Sequence, residues 1–130
     1  MAVDSGASES VVSDEMITSV ETVEGYAMRK GVRYEVADGT LIPNLGEKQF
    51  VAVGDGGVVR QMKAQVCDVN KALLSVHRVV QAGNRVAFSS QGGFVQDEGT
   101  GEKMPLEEKG GRRVLKLCSK AQGFSGQEHL

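Results

Sequence analysis

The chain contains no tryptophan, and four phenylalanines with two tyrosines complete its aromatic content, 5% of 130 residues. A core must therefore be largely aliphatic, and a nucleic-acid surface of stacked aromatics is excluded. Neither sign of charge is in excess, since 15 basic and 17 acidic residues leave a net charge of −2 and a pI near 5.7. That balance excludes a chain held to nucleic acid by phosphate neutralisation, and it offers no polybasic patch for a membrane surface. No apolar run approaches the ~20 residues of a membrane-spanning helix. The opening Met1-Ala2-Val3-Asp4 also lacks the basic and apolar pattern of a secretory leader. Only two histidines and two cysteines are present, and Cys67 and Cys118 lie far apart, without CxxC or HxxxH spacing. No metal site and no organic cofactor is expected from this set, and the separated thiols predict a reduced, intracellular, cytoplasmic chain.

Glycine is what the chain has in abundance, 17 residues against two prolines. With valine leading the apolar residues, this texture predicts many short strands joined by tight turns. Alternation of Val32, Tyr34 and Val36 predicts a strand over 32–36, followed by the hairpin signal Ala37-Asp38-Gly39-Thr40. Strands over 48–53 and 58–69 flank the glycine-rich turn 54–57, and further strands are expected over 85–88, 94–96, 104–107 and 113–118. A single helix is expected. Ser75 caps it, Val76, Val79 and Val80 fall at helical spacing, and Gly83-Asn84 supplies the stop. Ser13 is placed to cap one short turn after it. The length suits one domain over 1–118, with a polar tail or linker over 119–130.

The peptide most informative about chemistry is Ala2-Val3-Asp4-Ser5-Gly6-Ala7-Ser8. An apolar strand delivers an aspartate into a turn of small residues. Gly6 permits the turn and the close approach of a ligand backbone, and Ser5 is suited to hold the loop by local hydrogen bonds. The run Val3-Asp4-Ser5-Gly6-Ala7 resembles the active-site signature of retroviral-like aspartic proteases. A second set of segments follows in the order that family uses: the strand Val66–Val69, then Leu73-Leu74-Ser75-Val76, the short helix, and Arg85–Phe88. Their wording is most similar to the protease region of copia-type retrotransposon polyproteins. The roughly 70 residues between the two motifs leave room for a flap hairpin. The hairpin Tyr34–Leu41 is the candidate, with Ala37, Asp38, Gly39 and Thr40 around its tip and with Gly46 and the 54–57 turn as competing positions.

The resemblance spans about residues 2–118 and implies an all-β fold with one short helix, an acid-protease-like closed barrel formed as a single retropepsin-type lobe. It implies that Asp4 is catalytic, that Ser5, Gly6 and Ala7 form the active-site loop, and that Ala37–Thr40 is a substrate-binding flap. Leu73, Leu74 and Ser75 would support the loop from beneath. The implied activity is hydrolysis of a peptide or polyprotein substrate by two aspartates sharing one proton. The chain carries one Asp-Ser-Gly, so the second aspartate must come from another copy, and the active form is expected to be a homodimer. Only three residues precede Asp4, where family members have a longer stretch. The lobe is therefore expected to be N-terminally truncated, with an unpaired sheet edge beside the catalytic loop. The alternative is a lobe that keeps the fold without activity and acts as a peptide-binding or assembly module. His77 is expected on the surface, and Cys67 is expected to be buried as a small apolar residue.

Overall fold

Valine-rich segments punctuated by glycine pair mostly with their chain neighbours in this computed structural model, which describes residues 1–36, 38–54, 56–120 and 128–129. The longest pairing joins β5 (Gly46–Gly54) to β6 (Val59–Val66), antiparallel from Gly46 opposite Val66 to Val53 opposite Val59. A meander follows of β8 (Asn84–Ser89), β9 (Gly92–Asp97), β10 (Lys103–Lys109) and β11 (Arg112–Leu115), each antiparallel to the next. Gly93 shows why β9 needs glycine. Its φ is 115°, and a Cβ there would lie 1.9 Å from the Ala87 carbonyl oxygen, a clash that only a residue without a side chain avoids.

The shortest strands set the position of Asp4. On one side β1 (Ala2–Asp4) runs parallel to β7 (Leu73–Ser75), with Ala2 opposite Leu73, Val3 opposite Leu74 and Asp4 opposite Ser75. On its other side β1 pairs with β11, Ala2 opposite Val114. The unpaired edge expected beside the aspartate is thus filled by a strand from more than a hundred residues later in the chain. Antiparallel to β7 lies β2 (Val11–Val12), which on its other side runs parallel to β6.

Residues 113–118 are expected as one strand but form parts of two. At Lys116 the chain leaves β11 and enters β12 (Leu117–Lys120), which pairs with β5. The strand order is β12-β5-β6-β2-β7-β1-β11-β10-β9-β8, with β13 (Glu128–His129) parallel to β6 off this path. β11 and β12 stand six places apart in that order yet are joined through Lys116 alone. Two residues of extended chain reach about 7 Å, so the sheet must curl until Leu115 and Leu117 nearly meet. The expected closed barrel is not formed. Among the described residues no pairing joins β12 to β11 or to β8, because the corner at Lys116 is a covalent link and not a hydrogen-bonded ladder. β12 runs through Ser119 and Lys120, into the segment expected as a tail, and residues 121–127 and 130 lie outside the described residues.

Val12, Phe50, Met62, Val66, Leu74, Val95, Leu106 and Leu115 make up most of the core between the curled faces. Among the described residues two α-helices are present where one is expected. α1 (Tyr26–Arg29) is one turn, too short to leave a periodic signal in the sequence. α2 (Val76–Gln81) follows the expected cap: Arg78 N–H donates to Ser75 Oγ at 3.2 Å, and Val79 faces the core. After Ser13 comes the single 3₁₀ turn Asp14–Met16. Buried Lys48 ties this turn down, its Nζ donating to the Asp14 carbonyl at 2.8 Å and to that of Ile17, with the Asp14 carboxylate 3.3 Å away. A buried ammonium is tolerated because its donors are occupied.

The remaining hairpin, β3 (Arg33–Glu35) with β4 (Leu41–Pro43), stands as a separate two-stranded sheet. Its turn closes with Val36 N–H donating to the Thr40 carbonyl at 2.9 Å, and Gly39 at φ 86° provides the left-handed position the turn requires. Ala37 lies outside the described residues.

Candidate functional site

Asp4 ends β1 half-buried, and its Oδ1 accepts the Gly6 N–H at 2.8 Å. This local Asp-x-Gly turn orients one carboxylate oxygen with the chain's own backbone. A Cβ at Gly6 would lie 3.3 Å from the same oxygen, a tight contact that would press on the carboxylate. Ser5 and Gly6 are exposed, and Ala7 is half-buried.

The support beneath this loop comes from β7. Leu74 is 1% exposed and locked into the core, a burial worth about 1.5–3 kcal/mol. Leu73, its neighbour, turns the other way and reaches the surface beside Asp4. Ser75 is fully buried and makes three hydrogen bonds. Its Oγ donates to the Ala7 carbonyl at 2.7 Å and accepts from Arg78 N–H, and its own N–H donates to Ser10 Oγ at 3.0 Å. One serine therefore joins the loop after Asp4, strand β7 and helix α2. Arg78 adds a second link, its guanidinium gripping the Glu9 carboxylate through Nε at 3.0 Å and through Nη2. That paired carboxylate holds the Arg78 proton more firmly than usual.

Between the Asp4 loop and the β3–β4 hairpin lies a cleft of about 480 Å³. Asp4, Gly6, Ala7 and Glu9 form one wall, and Arg33, Tyr34, Glu35, Val36 and Ile42 form the opposite one. Val11, Val69 and Leu73 supply further apolar surface. The stem of the hairpin, rather than its tip, faces this cleft. Asp38, Gly39 and Thr40 are exposed beyond it, with Thr40 N–H donating to Asp38 Oδ1 at 2.8 Å. Those donated hydrogen bonds hold the Asp38 carboxyl below its ordinary pKa.

The stem is anchored from behind by Asn44. Its Nδ2 donates to the Tyr34 hydroxyl at 3.1 Å and to Gln65 Oε1 at 2.7 Å, while its Oδ1 accepts the Gly46 N–H at 2.8 Å. Partial burial pushes the pKa of Tyr34 up. On the opposite side of Asp4 is a second hollow of about 400 Å³, formed by Val3, Ser5, Leu73, Phe88 and Arg113 among others. Asp4 borders both spaces, and Phe88 leaves 52% of its surface exposed beside it.

Of the residues expected at the site, Asp4, Ser5, Gly6, Ala7, Leu73, Leu74 and Ser75 are brought together by β1 and β7. Glu9 and Arg33 line the cleft without having been singled out from the sequence, whereas Tyr34 and Glu35 belong to the hairpin expected over 34–41 and Val69 ends the expected segment Val66–Val69. Cys67 is buried and His77 exposed, each as expected. Among the described residues no three His, Cys, Asp or Glu side chains converge as a metal-binding group would, and no helix is long and apolar enough to cross a membrane. Comparison with family models, curated proteins and solved structures found no match to this chain.

Proposed function

We propose that this chain is an aspartic endopeptidase of the retropepsin-like, copia-type class, a single acid-protease-like lobe that forms its catalytic pair as a homodimer and cuts a polyprotein. One observation carries the reading: the Asp4 carboxylate, oriented by Gly6, stands in a cleft faced by a β-hairpin stem and backed by Leu73-Leu74-Ser75. Two segments that resemble one family's motifs, about 70 residues apart in the chain, lie in register on adjacent strands.

The chemistry follows from pairing two such carboxylates. In contact they cannot both ionise cheaply, so the pair keeps one proton. The ionised member draws a proton from a water between them, and the water oxygen attacks the substrate carbonyl carbon. The protonated member donates to the developing oxyanion. Proton return to the amide nitrogen then breaks the C–N bond and releases acid and amine. The hollow beside Asp4, with exposed Phe88, is where a second copy would approach.

The test is cleavage of a peptide library by the purified chain and by Asp4→Asn. The expected outcome is cleavage by the parent and a fall of at least about a hundredfold in the variant. Equal turnover by the two rejects the assignment. Peptide binding without cleavage by either also rejects it and leaves a binding module.

A further inference from the structure

We propose that Tyr34 is a substrate-binding residue whose hydroxyl donates a hydrogen bond to a main-chain carbonyl of a peptide lying in the Asp4 cleft. The inference rests on the peptidase reading and adds to it a contact from the hairpin stem. It starts from how the tyrosine oxygen is held. Asn44 is 6% exposed, and its amide has no spare capacity: one N–H goes to Tyr34, the other to Gln65, and its oxygen takes the Gly46 N–H. Rotating that amide by half a turn would set its NH2 against the Gly46 N–H and its oxygen against Gln65 Oε1, losing two bonds, so Asn44 is held as the donor to Tyr34. The phenol oxygen thus has its acceptor role filled from behind. Its own proton has no partner among the described residues, and the residue lines the cleft that holds Asp4.

A donor fixed in this way selects an acceptor. The cleft lining sets the carboxylates Asp4, Glu9 and Glu35 against Arg33, with Glu9 already paired to Arg78, so no excess of positive charge favours an anionic one. The apolar surface of Val11, Ile42, Val69 and Leu73 suits an extended peptide, whose neutral carbonyls are the acceptors it offers. Burial raises the Tyr34 pKa above its ordinary value of 10.0, so the proton remains in place throughout the range in which peptidases work.

The experiment uses Tyr34→Phe, which keeps the ring and removes the oxygen, with the best-cleaved peptide of the library screen. The expected result is a KM about five- to tenfold higher, the worth of one hydrogen bond, with kcat within about twofold. A set of analogues of that peptide, each with one backbone carbonyl reduced to methylene, supplies the second readout. One analogue should bind the parent less well than the unmodified peptide and bind Tyr34→Phe equally well. An unchanged KM overturns the proposal. A lower melting point with the same carbonyl penalties in both proteins overturns it too, since a mere strut for Asn44 would behave that way. Failure of the parent chain to cleave any peptide defeats the peptidase reading instead. An analogue series built on the tightest-binding peptide of the library, read as binding to Asp4→Asn and to the Asp4→Asn/Tyr34→Phe double variant, then still decides the Tyr34 contact.

Discussion

A thiol stripped of water holds its proton more tightly than one in solvent, and the two cysteines here differ in this respect. Cys67 is 1% exposed, and burial pushes its pKa up from the ordinary 9.0 to about 11, while Cys118 is exposed on β12. Above pH 9 an unfolded chain gives up the Cys67 proton and the folded chain keeps it. The folded state then binds more protons, so stability falls as pH rises from about 9 to about 11 and is unaffected by this group at pH 7. The expected outcome is a urea midpoint that drops across that window, and drops less in Cys67→Ala. Alkylation at pH 8 should modify one thiol in the native protein and two after unfolding; two fast native thiols would contradict the burial. The apolar setting of Cys67 was legible from the valine-rich run around it. The link from Tyr34 through Asn44 to Gln65 was not, because three polar residues spaced 10 and 21 apart carry no periodic signal until β5 and β6 fold back on each other.

At the scale of elements, the junction of β7 and α2 shows how a single side chain can couple separate pieces. Ser75 caps the helix through Arg78 N–H and holds the Asp4 loop through the Ala7 carbonyl. Ser75→Ala removes a cap and leaves a carbonyl without its donor, so it should lower stability by about 1–3 kcal/mol. It should also lower cleavage at temperatures where the variant remains folded, since the loop loses its tether. Urea titration and a rate measured well below the melting point check the two effects. A variant as stable as the parent would show that the bonds contribute nothing net. The helix itself was readable, cap and glycine stop included, because both signals are local. Turn chemistry likewise gave the hairpin at Asp38-Gly39. The division of 113–118 at Lys116 was hidden, since both halves have strand character and only the partner strands, β1 and β10 on one side and β5 on the other, distinguish them. The same non-local pairing filled the edge beside β1 that its short lead-in suggested was open.

At the scale of the whole molecule, Asp4 sits where the curl of the sheet brings together the parallel pair β1–β7 and the C-terminal meander. The described cleft contains one Asp-Ser-Gly turn, and the hollow on its other side opens to solvent past Phe88 and Arg113. A peptidase built this way cannot be active as a monomer, because a lone carboxylate has no protonated mate to stabilise the oxyanion. The rate of peptide cleavage should therefore vary with the square of chain concentration once dilution takes the protein below its dimer dissociation constant, and in direct proportion above it. Adding an excess of Asp4→Asn should suppress the parent's rate by drawing parent chains into mixed pairs. Both effects arise from assembly and neither from folding, so they can be read alongside sedimentation of the same samples. Rates strictly proportional to enzyme at every dilution, from a chain that sediments as a monomer and ignores the added variant, would show that Asp4 works without a twin and that the paired-aspartate mechanism does not operate here.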